Sequence, residues 1–270
     1  MATVRPPVVA GKFYPMHDVE LGRLVGTLYQ AVDVSPRPAF GVLAPHAGYV
    51  YSGACAARAL ADVDIPPQVV LLGPNHTGHG ARLSAAPEDL WRTPLGNVPV
   101  DAELLGELEA ACPGLRREPA AHRFEHSLEV EVPFLQVRRP DVAIAPIVVG
   151  THDLDELLGL GRALAEVCEA RTPRPLLLVS SDMTHYEPAA RAAEKDRLAL
   201  ERLEAVDPEG LHRVVLSRGI SMCGVAPAVA ALEALRRMGA RRGEVVCYTN
   251  SGAVTGDDRE VVAYAGVVFR

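Results

Sequence analysis

The sequence predicts a three-layer α/β/α fold built on a central mixed, mainly parallel sheet. Short apolar runs of strand length, rich in Val, Leu and Ile, recur between longer segments of helical periodicity. Uniformly apolar runs mark strands buried on both faces, and intervening helices are what parallel pairing needs. The 270 residues carry no low-complexity linker and no internal repeat, so residues 1–270 read as a single domain.

In chain order, residues 7–15 are apolar and punctuated by Gly and Pro, which predicts an irregular arm packed on the body. Residues 18–33 place Leu21, Leu24, Val25, Leu28 and Val32 at helical spacing, with Asp18 as the cap. Residues 40–44 predict a strand that runs into the turn Pro45-His46-Ala47-Gly48, and an Ala-rich helix follows over about 54–62. Residues 68–72 predict a second strand, ending in Gly73-Pro74-Asn75-His76. Short strands and turns are expected over 81–100, a helix over 101–112 and a polar loop over 113–126. Residues 127–135 alternate like a strand, yet Leu128, Val132 and Leu135 are spaced like a helix. The helix is favoured, with Ser127 as its cap and Pro133 early in it. Residues 142–149 and 175–181 are strands on either side of a helix over 153–170. Helices follow over 188–205, over 207–217 with Asp207-Pro208-Glu209 as its opening, and from Cys223 to Met238. Residues 244–250 and 261–269 are the last strands.

The net charge of −7, with no basic stripe, argues against a nucleic-acid binder or a membrane-surface protein. No apolar segment approaches the roughly 20 residues of a membrane span. The first residues lack the pattern of a signal peptide, so the expected location is cytoplasmic. Cys55, Cys112, Cys168, Cys223 and Cys247 are odd in number and show no CxxC spacing, which predicts neither a disulfide framework nor a zinc finger. Cys112 and Cys168 fall in helical patterns and read as small core residues.

Ligands of open α/β sheets bind outside the carboxyl ends of the strands. His46, then Asn75, His76 and His79, then Asp182 and His185 all follow predicted strands. Cys223 opens a helix, and Glu125-His126 lies in a loop. Imidazole and thiolate are good ligands for first-row transition metals, and two histidines with one anion suit mononuclear iron. Three protein ligands with an open position also suit catalytic zinc. Each residue has a plainer reading. His46 and His76 can be hydrogen-bonded turn residues, His79 reads as a surface residue, and Asp182 with His185 can be a buried polar pair. On sequence alone, a small packing residue is the better reading of Cys223. His17, His122, His152 and His212 sit in polar or helix-end contexts and read as solvated. The coincidence of ligand-type groups at several strand ends favours a site. Nucleotide-binding loops and a GxSxG elbow are absent from the sequence, so Ser180 and Ser181 near His185 are a weak case for a hydrolase.

Five ordered motifs carry a family resemblance: 44–49 (APHAGY), 72–76 (LGPNH), 125–129 (EHSLE), 179–185 (VSSDMTH) and 222–224 (MCG). With them the chain resembles the Memo family, whose bacterial members are also called AmmeMemoRadiSam system protein B. The family is similar in fold to the LigB-like class III extradiol dioxygenases, which hold non-haem iron(II) with two histidines and a glutamate. The resemblance implies His46 and His76 as histidine ligands, Cys223 as a thiolate in the carboxylate position, and His185 as acid/base with Asp182 beside it. It reverses the plain reading of Cys223, whose place at a helix start is also expected to ease thiolate formation. It implies iron(II), with copper or zinc as alternatives, and a dioxygenase-like oxidoreductase acting on a small molecule. A non-catalytic scaffold that holds metal or a phosphopeptide in the same pocket, with Tyr49 and Tyr51 assisting, is the alternative. Radical-SAM and AMMECR-type proteins are the implied partners. The chain departs from the animal pattern at Val225-Ala226, at Asn75 and at Thr184 and Tyr186. The ligand positions themselves are intact. No role is assigned to Glu125, His126 or His79.

Overall fold

The computed structural model describes residues 2–270. The elements are β1 (Val4–Arg5), α1 (Asp18–Gln30), β2 (Gly41–Ala44), α2 (Tyr49–Ala61), β3 (Gln68–Pro74), β4 (Leu83–Ala85), β5 (Leu90–Thr93), β6 (Gly96–Pro99), α3 (Ala102–Ala111) and β7 (Leu115–Arg117). They continue with α4 (Val132–Arg138), β8 (Ala143–Val149), α5 (Leu154–Glu169), β9 (Leu176–Ser180), β10 (His185–Glu187), α6 (Ala189–Glu204), α7 (Pro208–Arg218), α8 (Val225–Arg237), β11 (Gly243–Asn250), α9 (Gly252–Thr255) and β12 (Val261–Phe269).

The nine-stranded main sheet runs β10-β12-β2-β9-β3-β8-β4-β7, with β11 on the other edge of β12. Its central block β2-β9-β3-β8 is parallel throughout. The pairings of β12 with β2, β10 and β11, and of β4 with β8, are antiparallel. The mixed sheet with a parallel centre is therefore as expected, and the central strands are buried along nearly their whole length. Helices cover both faces. α2 lies on β2, β11 and β12 and carries α1, which in turn packs on α4. On the opposite face α8 lies on β2, β3, β8 and β9 and is flanked by α5 and α7, while α6 covers β11 and β12. A small sheet of β1, β5 and β6 fastens the N-terminal arm. Arg5 anchors it, with its guanidinium 2.7 Å from Glu129 and stacked on Trp91.

Four local expectations are corrected. Asp18 is the first residue of α1 and His17 occupies the cap, without a capping side-chain bond. α2 begins at Tyr49, five residues earlier than expected. Tyr, Val and Gly53 weaken the local helical signal there, but α1 packs so close that a Cβ on Gly53 would lie 3.0 Å from Leu28. Glycine in this helix is the consequence of close approach. Residues Glu129–Glu131 form one 3₁₀ turn before α4, and Pro133 stands in the first turn of α4, where its missing N–H costs nothing. Ser127 does not cap this helix; its hydroxyl donates to the carbonyl of Pro74. His122 is fully buried, not solvated: Nε2 faces the carbonyl of Ser84, and its own carbonyl accepts from Arg5.

Candidate metal centre

Because β2, β9 and β3 are adjacent and parallel, their carboxyl ends lie side by side. The turn after β2 supplies His46, the turn after β3 supplies His76, and β9 between them ends at Ser180, followed by Ser181 and Asp182. Cys223 arrives from the far face, just before α8. Its approach depends on Gly224, where a Cβ would meet Ser181 Cβ at 2.4 Å and the Ser180 carbonyl oxygen at 2.6 Å. Only a glycine lets this turn dock on the end of β9. The dock is held by the Gly224 N–H donating to Ser181 Oγ (3.0 Å) and the Asp182 N–H donating to Cys223 Sγ (3.2 Å).

His46, His76 and Cys223 each bring a ligand atom to within 4.8 Å of the others, and His46 Nε2 lies 3.3 Å from Cys223 Sγ. A first-row cation with bonds of about 2.0–2.3 Å would hold tetrahedral donors roughly 3.4–3.6 Å apart. The His46–Cys223 pair already stands near that spacing, and the His76 ligand atom lies within 4.8 Å of both.

The other ring nitrogens are already engaged. His46 Nδ1 is 2.8 Å from Ser180 Oγ, whose hydroxyl donates to the carbonyl of Ser127 at 2.7 Å. A carbonyl can only accept, so Nδ1 carries the proton and Nε2 is bare. His76 Nδ1 donates to Glu125 Oε1 at 2.8 Å, which leaves its Nε2 free. Such oxygen partners behind ligand imidazoles fix tautomer and orientation. Burial, reinforced by His126 and His76, holds the His46 pKa well below its ordinary value, so the ring is neutral and able to ligate.

Glu125 is the hub of this arrangement. Oε1 accepts from His76 Nδ1 and from the N–H groups of His126 and Ser127, and Oε2 accepts from the N–H of His76. Burial alone would raise this carboxyl; the hydrogen bond from His76 and that from the Ser127 N–H outweigh it and hold it at about 2. A second ligand-type grouping, His76, Glu125 and His126, is thus a hydrogen-bonded cluster around an already satisfied carboxylate. The His126 ring stacks on His76 at 4.6 Å and meets His46 edge-on at 5.5 Å. In the sequence Glu125-His126 stands out only as a pair in a loop, with nothing local to give it a task.

Asp182 and His185 lie in the same cavity but are not partners. Asp182 is buried and accepts the N–H of His46 at 2.8 Å, with a further bond from the N–H of Ala47. Burial outweighs these bonds and raises its pKa to about 7. His185 Nδ1 bonds the carbonyl of Ser221 at 2.9 Å, and its N–H donates to Ser221 Oγ. The carbonyl of Ser221, not Asp182, therefore sets the His185 tautomer and leaves Nε2 bare. Burial lowers the His185 pKa against the opposing bond to Ser221. The expectation for Cys223 also changes: burial, with Asp182 nearby, pushes its thiol well above the ordinary value. A cation must displace that proton to bind. His79 is exposed, and only its main chain is engaged at the site's edge, accepting from Asn75. Tyr49 is buried with its hydroxyl on the carbonyl of Val130 and does not face the centre, whereas Tyr51 does.

The cavity over the centre measures about 520 Å³. Phe13, Tyr51, Tyr186 and Tyr264 wall it, and His46, His76, His126, Asp182 and His185 supply its polar floor. Tyr186 holds φ at 57°, a strained value for a non-glycine residue of the kind that gathers at functional sites.

The Memo-like protein family model matches residues 5–268. The chain belongs to the Memo-like family. A MEMO1 family protein of Aquifex aeolicus is 42% identical over 267 residues, covering 98% of this chain and 99% of the relative. One from Methanopyrus kandleri is 40% identical over 280 residues, covering 98% and 99%, and one from Methanosarcina barkeri is 38% identical over 266 residues. Among solved structures, an uncharacterized protein of Escherichia coli K12 has a similar fold, with a TM-score of 0.52 at 16% identity over 76% of this chain and 86% of that one. That likeness concerns the fold alone. Among the described residues of this Memo-like protein no helix is long and apolar enough to cross a membrane.

Proposed function

We propose that this Memo-like protein binds one divalent first-row transition ion, iron(II), through His46, His76 and Cys223, and acts as an oxidoreductase on a small molecule held above it. The observation that carries the reading is the convergence of three ligand atoms from three separate chain segments, with each imidazole's other nitrogen already on an oxygen. Two neutral imidazoles and a thiolate suit iron or copper better than hard ions. The metal, when bound, would supply open coordination positions and one-electron chemistry.

The protein's own residues supply the rest. Asp182 fixes the His46 turn through its main chain, and Glu125 orients His76. His185, with Nδ1 on Ser221, presents a bare Nε2 as a proton acceptor among the polar residues lining the cavity. The aromatic walls narrow the approach of water and offer faces for a flat ring. The lining has no Lys or Arg among the described residues, which favours an uncharged ring over an anionic substrate.

The test is metal content after anaerobic purification, followed by titration of iron(II) into the wild type, His46→Ala and Cys223→Ser. The reading expects stoichiometric binding that both variants lose. Equal iron binding by all three would refute the ligand set. Oxygen uptake with a panel of catechols separates turnover from binding: bound ligand without chemical change would favour a scaffold.

A further inference from the structure

Three glutamates in one stretch are buried, and their surroundings treat them differently. Glu125 takes three backbone N–H groups and an imidazole N–H. Glu129 takes the Arg5 guanidinium, the N–H groups of Val8 and Val9, and the hydroxyl of Tyr14. Both sites are built for a negative charge. Glu131 is 0% exposed, and its one polar contact is Ser180 Oγ, 3.2 Å from Oε1. Its Oε2 has no partner. A buried charge needs a partner or several hydrogen bonds to be tolerated, and here a single contact at 3.2 Å is all that is supplied.

The hydroxyl of Ser180 decides the question. A hydroxyl has one proton and two lone pairs. Its three neighbours are the carbonyl of Ser127 at 2.7 Å, His46 Nδ1 at 2.8 Å and Glu131 Oε1 at 3.2 Å. Ser127 can only accept and is the nearer acceptor, at 2.7 Å against 3.2 Å for Glu131, so it receives the proton. His46 Nδ1–H fills one lone pair. The second lone pair faces Glu131, where a carboxylate would oppose it and an acid O–H would complete it.

We propose that Glu131 is a neutral carboxylic acid that donates to Ser180 Oγ and, through that hydroxyl, secures His46 in the tautomer that turns a bare Nε2 to the centre. Burial moves this carboxyl well above its ordinary pKa against the opposing contact with Ser180, and nearby Asp182 adds to the rise. Glu131 is a positioning residue: it sits behind the serine that sits behind the ligand. The inference rests on the proposed metal site only for what the bare Nε2 is used for.

The experiment is infrared difference spectroscopy of metal-free wild type against Glu131→Gln at pH 7, with ¹⁵N NMR of the His46 ring. The expected result is a protonated-carboxyl C=O stretch in the wild type that the variant lacks, and an Nδ1–H tautomer retained in both. The glutamine amide can donate to Ser180 as the acid does, so Glu131→Gln is expected to keep wild-type stability in denaturant and zinc affinity within about twofold. Glu131→Leu, which has no donor, is expected to bind zinc at least tenfold more weakly, with a mixed His46 tautomer. Glu129→Gln is the control that loses stability, because its site is built for charge. Absence of the C=O band, or a Glu131→Gln as destabilised as Glu129→Gln, would overturn the proposal. Failure of the wild type to bind zinc would count against the metal site and leave the infrared and NMR results to decide the state of Glu131.

Discussion

Replacing Glu125 by Gln is the most informative single change at this centre. The side chain keeps its shape but loses its charge and one of its two acceptor oxygens. Four N–H donors converge on the carboxylate, three on Oε1 and one on Oε2. In its best orientation the glutamine oxygen takes the place of Oε1, and its NH₂ group then opposes the N–H of His76. One buried donor is left unpaired, at a cost of about 1–3 kcal/mol. The three surviving bonds are to a neutral oxygen, and bonds to a charged acceptor are roughly twice as strong as neutral ones. A stability loss of about 2–4 kcal/mol follows from these two effects together. His76 also loses the carboxylate that orients its ring, and loss of such a partner weakens metal binding by about 10–100-fold. Denaturant unfolding of the metal-free protein and competition of zinc against a chelator measure the two effects separately. If Glu125→Gln stays within about 0.5 kcal/mol of wild type, the range expected of a plain surface substitution, and binds zinc equally well, the assignment of Glu125 as the orienting hub is wrong.

Three further outcomes are expected. His185→Ala should leave zinc or iron affinity near wild type while lowering any turnover by about 10²–10⁴-fold; loss of metal would return His185 to the ligand set. Gly224→Ala forces a Cβ against the Ser181 side chain and the Ser180 carbonyl oxygen, so it should cost about 1–3 kcal/mol and weaken metal binding through displaced Cys223, seen by unfolding and zinc titration. His122 is held neutral, with burial first and Arg5 second lowering its pKa to about 4. The unfolded chain takes up that proton near pH 6.5 and the folded one only near 4, so stability falls as pH drops through this window, by about 3 kcal/mol. His122→Gln should flatten that limb in unfolding curves taken from pH 7 to 4; an unchanged slope would refute the assignment.

Much of the architecture was legible in the chain because it depends on local pattern. The runs 40–44, 68–72, 142–149 and 175–181 are apolar without alternation, and they became the four central parallel strands. The polar residues at their ends therefore had to gather at one edge, which is why His46, His76, Asp182 and His185 were found together. The errors lie where long-range packing overrode local signal. α2 starts early where it packs against α1, and His122 is buried where Arg5, from 117 residues away, bonds its carbonyl and Trp91 meets its ring edge-on.

The sequence by itself could name the ligand-type side chains, since residue type and position at a strand end are local properties. It could not say how they pair or which are charged. Asp182 meets the His46 main chain across 136 residues, and His185 meets Ser221 across 36, so their expected partnership dissolved in the fold. Glu125, Glu129 and Glu131 are the same residue type within seven positions. Donors delivered from distant segments decide that the first two are anchors for charge, while the one polar neighbour of Glu131 is Ser180 Oγ, whose proton goes to the nearer carbonyl of Ser127. Ionisation in a buried site follows the surrounding donors and the loss of water, and only the tertiary structure sets those.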